Sequence, residues 1–399
     1  MKQARYDTEQ IKERISHYVL RLLKDESEPD DNRLKEIIAN VISEDPDKLS
    51  LSLQEKRELA TLVFNSLRRM DVIEPMMQDP HVTEIMVNGP DAIFYEKNGK
   101  LYRSEIRFKD NQSLQTLISC FFANSNRPLN EANPISDLRL PDGSRANAVL
   151  PPIAPDGPII TIRKFTGIRH DIVTLIRQGF ISDEAARFLC ECVKNKKTIF
   201  LCGGTGSGKT TFLNTISSFI PPEERVVTIE DSAELNLQGI KNLVRLEARL
   251  PGPDGNGEIT IGTLIKASLR MRPDRIIVGE VRGTESADMM HALNTGHPGS
   301  MCTGHANSCY EMLERLTAMV IAGSGLPFEA VIQQISMGID LVIHITRNRD
   351  GKRYIDEISS LLQPVDGEFR LMTLFTNKGG EGLEKQCSDE ILQKISSYR

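Results

Sequence analysis

The chain has 399 residues, 39% hydrophobic and 26% charged, an ordinary globular composition that excludes a largely disordered or fibrous protein. A formal net charge of -6 excludes a surface built throughout for nonspecific nucleic-acid binding, although it leaves room for a local basic groove. The seven cysteines are scattered without a CxxC pair, which points to neither a disulfide framework nor a zinc ribbon and fits a reducing cytosol.

This length favours two or three domains over a single core. The first residues, Met1 to Tyr18, are charged and lack the apolar centre of a signal peptide, and no apolar run is long enough to span a bilayer. A soluble protein is the expectation. From Tyr6 to about Met70, apolar residues recur at helical spacing and predict three amphipathic helices, with a charged loop from Lys24 to Asp31. Ser52 and Glu55 form a capping-box pair ahead of the third. These helices are expected to pack on the next domain, docking onto a membrane-embedded platform being the alternative.

Beyond Asp79-Pro80 the pattern becomes short β-branched or aromatic runs divided by Asn88-Gly89-Pro90 and Asn98-Gly99. Strands are predicted at Thr83–Val87, Ala92–Tyr95 and Leu101–Phe108, a helix at Ser113–Ala123, and further strands at Arg145–Leu150 and Ile159–Phe165. That is a small α+β domain, followed by a polar connector. A helix is read at Ser182–Lys194. Strands then alternate with helices: Thr198–Cys202, Val226–Ile229, Arg275–Val278, Ser300–Thr303 and Leu341–Thr346, with a terminal antiparallel pair at Tyr354–Leu361 and Phe369–Phe375. This alternation predicts an α/β fold with a mostly parallel sheet covered on both faces.

Gly203-Gly204-Thr205-Gly206-Ser207-Gly208-Lys209-Thr210 matches GxxxxGK[ST], and Thr211 comes next. Apolar Ile199-Phe200-Leu201 precedes it and a helical Phe212–Phe219 succeeds it, the strand–loop–helix context that a phosphate-binding loop needs. Glycines let backbone N–H groups close around phosphates, the helix start adds its positive dipole end, Lys209 reaches the β and γ oxygens, and Thr210 ligates Mg²⁺. ATP with Mg²⁺ is the expected ligand.

Two carboxylate sites lie just past predicted strands. Glu230-Asp231, with Glu234 beyond, ends one; Glu280 ends Arg275-Ile276-Ile277-Val278-Gly279. Carboxyl ends of strands face the ligand in such sheets. Glu280 is the first choice for polarising the attacking water or arranging the Mg²⁺ shell, and Glu230 the competing one. Asp231 and Glu234 are as well explained as a solvated turn or helix cap. His297 and His305 lie in two Thr-Gly-His triplets that bracket the strand at 300–303, so a γ-phosphate sensor is the functional reading and a structural hydrogen bond the bland one. Their spacing is not that of a zinc site.

In these residues the chain resembles the secretion ATPases of type II and type IV systems, and within them the CpaF-type ATPases of Tad/Flp pili. The resemblance covers most of the chain beyond about residue 70. It rests on Asp79-Pro80-His81-Val82-Thr83-Glu84-Ile85-Met86-Val87-Asn88-Gly89, Leu140-Pro141-Asp142-Gly143-Ser144-Arg145 and Thr161-Ile162-Arg163-Lys164-Phe165. Beyond the phosphate loop it continues through Ile229-Glu230-Asp231, Val278-Gly279-Glu280-Val281-Arg282-Gly283 and the two histidine triplets. Gly279 stands where many P-loop motors carry Asp. The resemblance implies a RecA-like P-loop ATPase domain (182–399) behind a linker (166–181), a small PAS-like α+β domain (71–165) and an N-terminal helical region (1–70). It also implies a homo-hexamer with ATP held between the two folded domains, at the cytoplasmic face of the membrane through inner-membrane platform proteins. An arginine from a moving domain would meet the γ-phosphate as the site closes. Arg163 leads the candidates, with Arg145, Arg245 and Arg249 behind it. Neither direct nucleic-acid binding nor zinc is expected. The rival readings are a conjugation-linked traffic ATPase and a nucleotide-gated scaffold with little turnover.

Overall fold

The computed structural model of the chain describes residues 11–397 apart from 13, 20, 24–29, 45–51, 69, 123–128, 166–170, 250, 253–255, 349, 378 and 381. The loop expected at Lys24–Asp31 falls mostly outside the described residues. Two compact units emerge, Met1–Thr166 and Gly167–Arg399.

The first unit begins with helical residues between 11 and 22, then α1 (Asp31–Glu44) and α2 (Leu53–Arg68). The capping box forms: Ser52 N–H donates to Glu55 Oε2 at 2.7 Å, and Glu55 N–H to Ser52 Oγ at 3.2 Å. Ile15, Val19, Leu34, Ile38, Leu59 and Val63 close on one another in one buried cluster. Sequence alone places these faces against the following domain; the structure instead gives the helices a core of their own. A polar contact ties them to the segment after α2, Lys12 Nζ to Asp71 Oδ1 at 2.6 Å.

After the short α3 (Glu74–Gln78) come β1 (Val82–Asn88), β2 (Ile93–Lys97), β3 (Lys100–Arg103), α4 (Asn111–Phe122), β4 (Ile135–Arg139), β5 (Arg145–Val149) and β6 (Ile159–Arg163). The strands make one antiparallel sheet, order β3-β2-β1-β6-β5-β4. Alternate residues such as Ile85, Val87, Ala146, Ala148, Ile160 and Ile162 are buried with Leu114 and Ile118 of α4. β3 ends at Arg103 rather than Phe108, because Phe108 turns inward and its N–H donates to Pro90 O at 2.9 Å. β4 is absent from the sequence reading. It joins β5 through the Leu140–Ser144 turn, where Leu140 N–H donates to Ser144 O at 2.8 Å and Gly143 takes φ +88°. Register then aligns Arg139, Arg145, Arg163 and Glu84 across four strands.

The second unit opens with a helix inside the segment read as a polar connector, α5 (Ile172–Arg177), capped by Asp171. Next are α6 (Asp183–Lys194), β7 (Ile199–Gly203), α7 (Lys209–Ser217), β8 (Arg225–Glu230), β9 (Asn242–Glu247), α8 (Ile261–Ser268), β10 (Arg275–Val278), α9 (Glu285–Asn294), β11 (Met301–Gly304), α10 (Cys309–Ser324), α11 (Phe328–Gly338), β12 (Leu341–Arg347), β13 (Arg353–Val365), β14 (Glu368–Asn377), β15 (Leu383–Lys385) and α12 (Asp389–Ser396). The sheet order is β15-β14-β13-β12-β7-β11-β10-β8-β9. The six strands from β12 to β9 run parallel and the other three antiparallel.

Both faces are covered. Ile199 and Leu201 of β7 enter one core with Phe212 and Ile216, while Phe200 and Cys202 enter the other with Ile276, Met312 and Leu316. β9 and β15 escape the sequence reading: β9 is an edge strand without a fully buried residue, and β15 has three residues. Among the described residues no single helix is long and apolar enough to cross a membrane.

Candidate functional site

The parallel strands end side by side, and their carboxyl ends deliver the site. Register sets Gly304 of β11 beside Cys202 of β7, Cys302 of β11 beside Val278 of β10, and Val278 beside Ile229 of β8. The phosphate loop, His305, Gly279-Glu280 and Glu230-Asp231 therefore emerge along one edge of the sheet.

The loop is shaped by glycine. Gly203, Gly206 and Gly208 have φ of +156°, +69° and +103°, and Gly208 is the left-handed N-cap of α7. A Cβ on Gly203 would lie 2.1 Å from Ile345 O, so the loop is pressed against β12. Gly204 faces open space and is exposed, as is Thr205; Thr210 and Thr211, on the first turn of α7, are half-buried. Ser207 Oγ is buried without a hydrogen-bond partner. A tight loop whose open side meets a helix N-terminus fits an anionic phosphate group.

Lys209 is buried, and its Nζ donates to Gly203 O and Gly204 O, each at 2.9 Å, and meets His305 Nδ1 at 3.3 Å. An ammonium is donor only, so His305 Nδ1 accepts and its proton resides on Nε2. That atom lies 2.5 Å from Glu280 Oε1, a close contact outside in-line hydrogen-bond geometry. Burial, then the Lys209 charge, holds the His305 pKa below its ordinary value, so it stays a neutral imidazole at neutral pH. Glu280 Oε2 accepts from Arg282 Nη2 at 2.8 Å, and Arg282 Nη1 lies 3.8 Å from Asp231 Oδ2. One polar chain thus runs Lys209–His305–Glu280–Arg282–Asp231. Glu280 keeps about a fifth of its side chain open to solvent, 19%.

Glu230 differs from Glu280. It is 4% exposed, and Oε1 accepts the backbone N–H groups of Glu234 and Leu235, both at 2.8 Å. Burial pushes its carboxyl up to about 6 despite those two hydrogen bonds. It holds the 231–235 loop in place. Gly279 makes room for it: a Cβ there would fall 2.9 Å from Glu230 Cγ.

The other sequence candidates separate. His297 precedes β11 and so sits at the opposite end of that strand from His305, its Nδ1 3.0 Å from Ala292 O. Arg245 Nη2 donates to Leu235 O at 3.0 Å and Arg249 Nε to Gly257 O at 2.7 Å, so each fastens a loop. Arg145 and Arg163 are cross-strand neighbours in the first unit. Three arginines were missed by sequence reasoning. Arg282 stood inside a quoted motif, two residues after Glu280, while Arg347 and Arg353 flank a hairpin turn with no motif to mark them.

A doubly covered parallel sheet with a phosphate loop at its carboxyl edge, a lysine inside the loop and a carboxylate two strands away defines a RecA-like P-loop protein. The chain belongs to the type II/IV secretion system protein family, which matches residues 67–379. It is 34% identical over 332 residues to a putative conjugal transfer protein of Mycobacterium tuberculosis, covering 82% of this chain and 94% of that one. It is 30% identical to the type IV secretion system protein VirB11 of Brucella suis, over 72% of this chain and 88% of the relative. The solved structure of the Legionella pneumophila ATPase DotB superposes with a TM-score of 0.52 at 22% identity, covering 71% of this chain and 78% of that one, a likeness of fold.

Proposed function

We propose that the chain is an ATP-hydrolysing motor subunit that works as a hexamer to power assembly of a Tad/Flp-type pilus, or related secretion, at the cytoplasmic face of the membrane through platform proteins. The observation that carries this is the Lys209–His305–Glu280 chain beside the phosphate loop, because it ties the phosphate-binding cation to a partly open carboxylate at the end of β10. Backbone N–H groups of the loop and Thr210 and Thr211 would hold the phosphates. Mg²⁺ bound with the nucleotide would neutralise phosphate charge, and Thr210 and Glu280 would be the residues that hold it.

Glu280 orients the attacking water and takes up its proton. His305, neutral and hydrogen-bonded through Nδ1, sits between Lys209 and Glu280 and keeps the two apart at the site. Arg282 holds the other carboxylate oxygen. Glu230 keeps the loop beside it folded. Arg163, cross-strand neighbour of Arg145 and Glu84, remains our choice for the arginine that meets the γ-phosphate. The test is phosphate release from the purified assembly: Lys209→Ala weakens nucleotide binding and turnover together, whereas Glu280→Gln binds ATP and does not turn it over. Normal turnover by the Glu280 variant sinks the assignment.

The likeness to a conjugal transfer protein favours one second reading, a traffic ATPase that moves protein or DNA. Stimulation of phosphate release by added DNA would support it.

A further inference from the structure

The phosphate loop has two flanks. On the β11 and β10 side stand His305 and Glu280; on the β12 side stands the β12–β13 hairpin, whose register sets Arg347 directly opposite Arg353. Both arginines are half-buried and both lie against the loop. A Cβ built on Gly206 would have Arg347 Nη1 as its nearest neighbour, at 3.9 Å, and one built on Gly208 would have Arg353 Cδ at 3.5 Å. The hairpin cannot drift from the loop, because Gly203 is packed against Ile345 O and β12 is paired with β7 as far as Ile345–Gly203.

The pair stands beside a helix N-terminus that is itself electropositive, and beside the loop that carries Lys209. Three cationic side chains and a helix start converge on one short loop. A polyanion longer than a single phosphate is the ligand that can meet all of them at once. The bond to be broken belongs at the Glu280 flank, where water is activated, so the rest of the nucleotide runs towards the opposite flank.

We propose that Arg347 and Arg353 bind the α-phosphate end of the nucleotide, as positioning groups that serve ATP and ADP alike. This rests on the reading of the chain as an ATP-binding protein. It separates two cationic sets: the hairpin arginines hold the part of the ligand that hydrolysis leaves unchanged, and Lys209 addresses the part that hydrolysis removes.

The experiment uses the full chain with Arg347→Gln and Arg353→Gln, which keep most of the apolar stem, and with Arg347→Lys and Arg353→Lys, which keep the charge without the planar fork. Fluorescent ADP and a fluorescent non-hydrolysable ATP analogue are titrated against each variant, with melting in the absence of nucleotide as the folding control. Each Gln variant is expected to lose about tenfold in affinity for both nucleotides by the same factor, as removal of one charge-assisted contact predicts, and each Lys variant to lose less. KM for ATP rises in step while turnover at saturation holds. Unchanged ADP affinity in folded Gln variants overturns the proposal, and so does a loss confined to the ATP analogue, which would move the arginines to the γ-phosphate. Failure of the wild-type chain to bind either nucleotide would instead remove the ATP-binding reading itself, and the Lys209→Ala variant calibrates that outcome.

Discussion

The two ends of the parallel sheet both carry buried charge, arranged to opposite purposes. At the amino ends, Arg275 is fully buried and bidentate to Glu224, Nε to Oε2 at 2.6 Å and Nη2 to Oε1 at 3.1 Å, with Gly299 O a further acceptor at 3.3 Å and Lys196 3.8 Å from Glu224. At the carboxyl ends, Lys209, His305, Glu280, Arg282 and Asp231 form an open chain whose last arginine is 60% exposed. A closed cluster satisfies its own groups and gives rigidity; an open one has members with capacity left for something else. Burial of charge alone does not mark a site. Incomplete closure at a ligand-facing edge does.

The largest effect expected is on turnover at the open end. Glu280→Gln is expected to lower phosphate release about a thousandfold, roughly 4 kcal/mol in barrier, with melting unchanged. A melting shift as large as the loss of rate would make Glu280 structural and break the contrast. At the closed end, Glu224→Ala strands Arg275 without its partner and is expected to cost about 3 kcal/mol in urea unfolding. A cost under about 1 kcal/mol would mean that the cluster does not act as a clamp.

Between these lies Glu230, a buried carboxylate at the carboxyl edge. Its folded pKa, about 6, stands above the ordinary 4.5, so burial favours the protonated form. The stability that protonation brings is fully present below pH 4.5 and lost as pH rises through 6. Glu230→Gln, whose amide oxygen can still accept from Glu234 and Leu235, is therefore expected to be more stable than wild type by about 2 kcal/mol at pH 8 and equal to it at pH 4. Unfolding at the two pH values checks this, and a turnover loss greater than that of Glu280→Gln would exchange the two assignments. The smallest effect belongs to Ser308, whose Oγ accepts Glu311 N–H at 3.0 Å to cap α10 just beyond His305. Ser308→Ala is expected to cost about 1 kcal/mol in melting and to alter turnover less than twofold.

The carboxyl edge was legible because each strand there is a short apolar run that ends in a chemically distinctive residue, as Arg225–Glu230 and Arg275–Glu280 both do. The limits are equally physical. Two Thr-Gly-His triplets look equivalent in sequence, yet a strand between them guarantees opposite ends, so only His305 joins Lys209. β9 buries no residue fully, which blurs its alternation, and α5 is too short for a helical period to show. Arg347 and Arg353 reach the phosphate loop through register, which no local pattern encodes.

Gly279 also couples two parts of the site through steric contact. A side chain there would press on Glu230 Cγ, and Glu230 in turn holds the backbone of Glu234 and Leu235, so any residue larger than glycine at 279 transmits its bulk to that loop. The narrow end of this strand thereby sets where the 231–235 loop can lie.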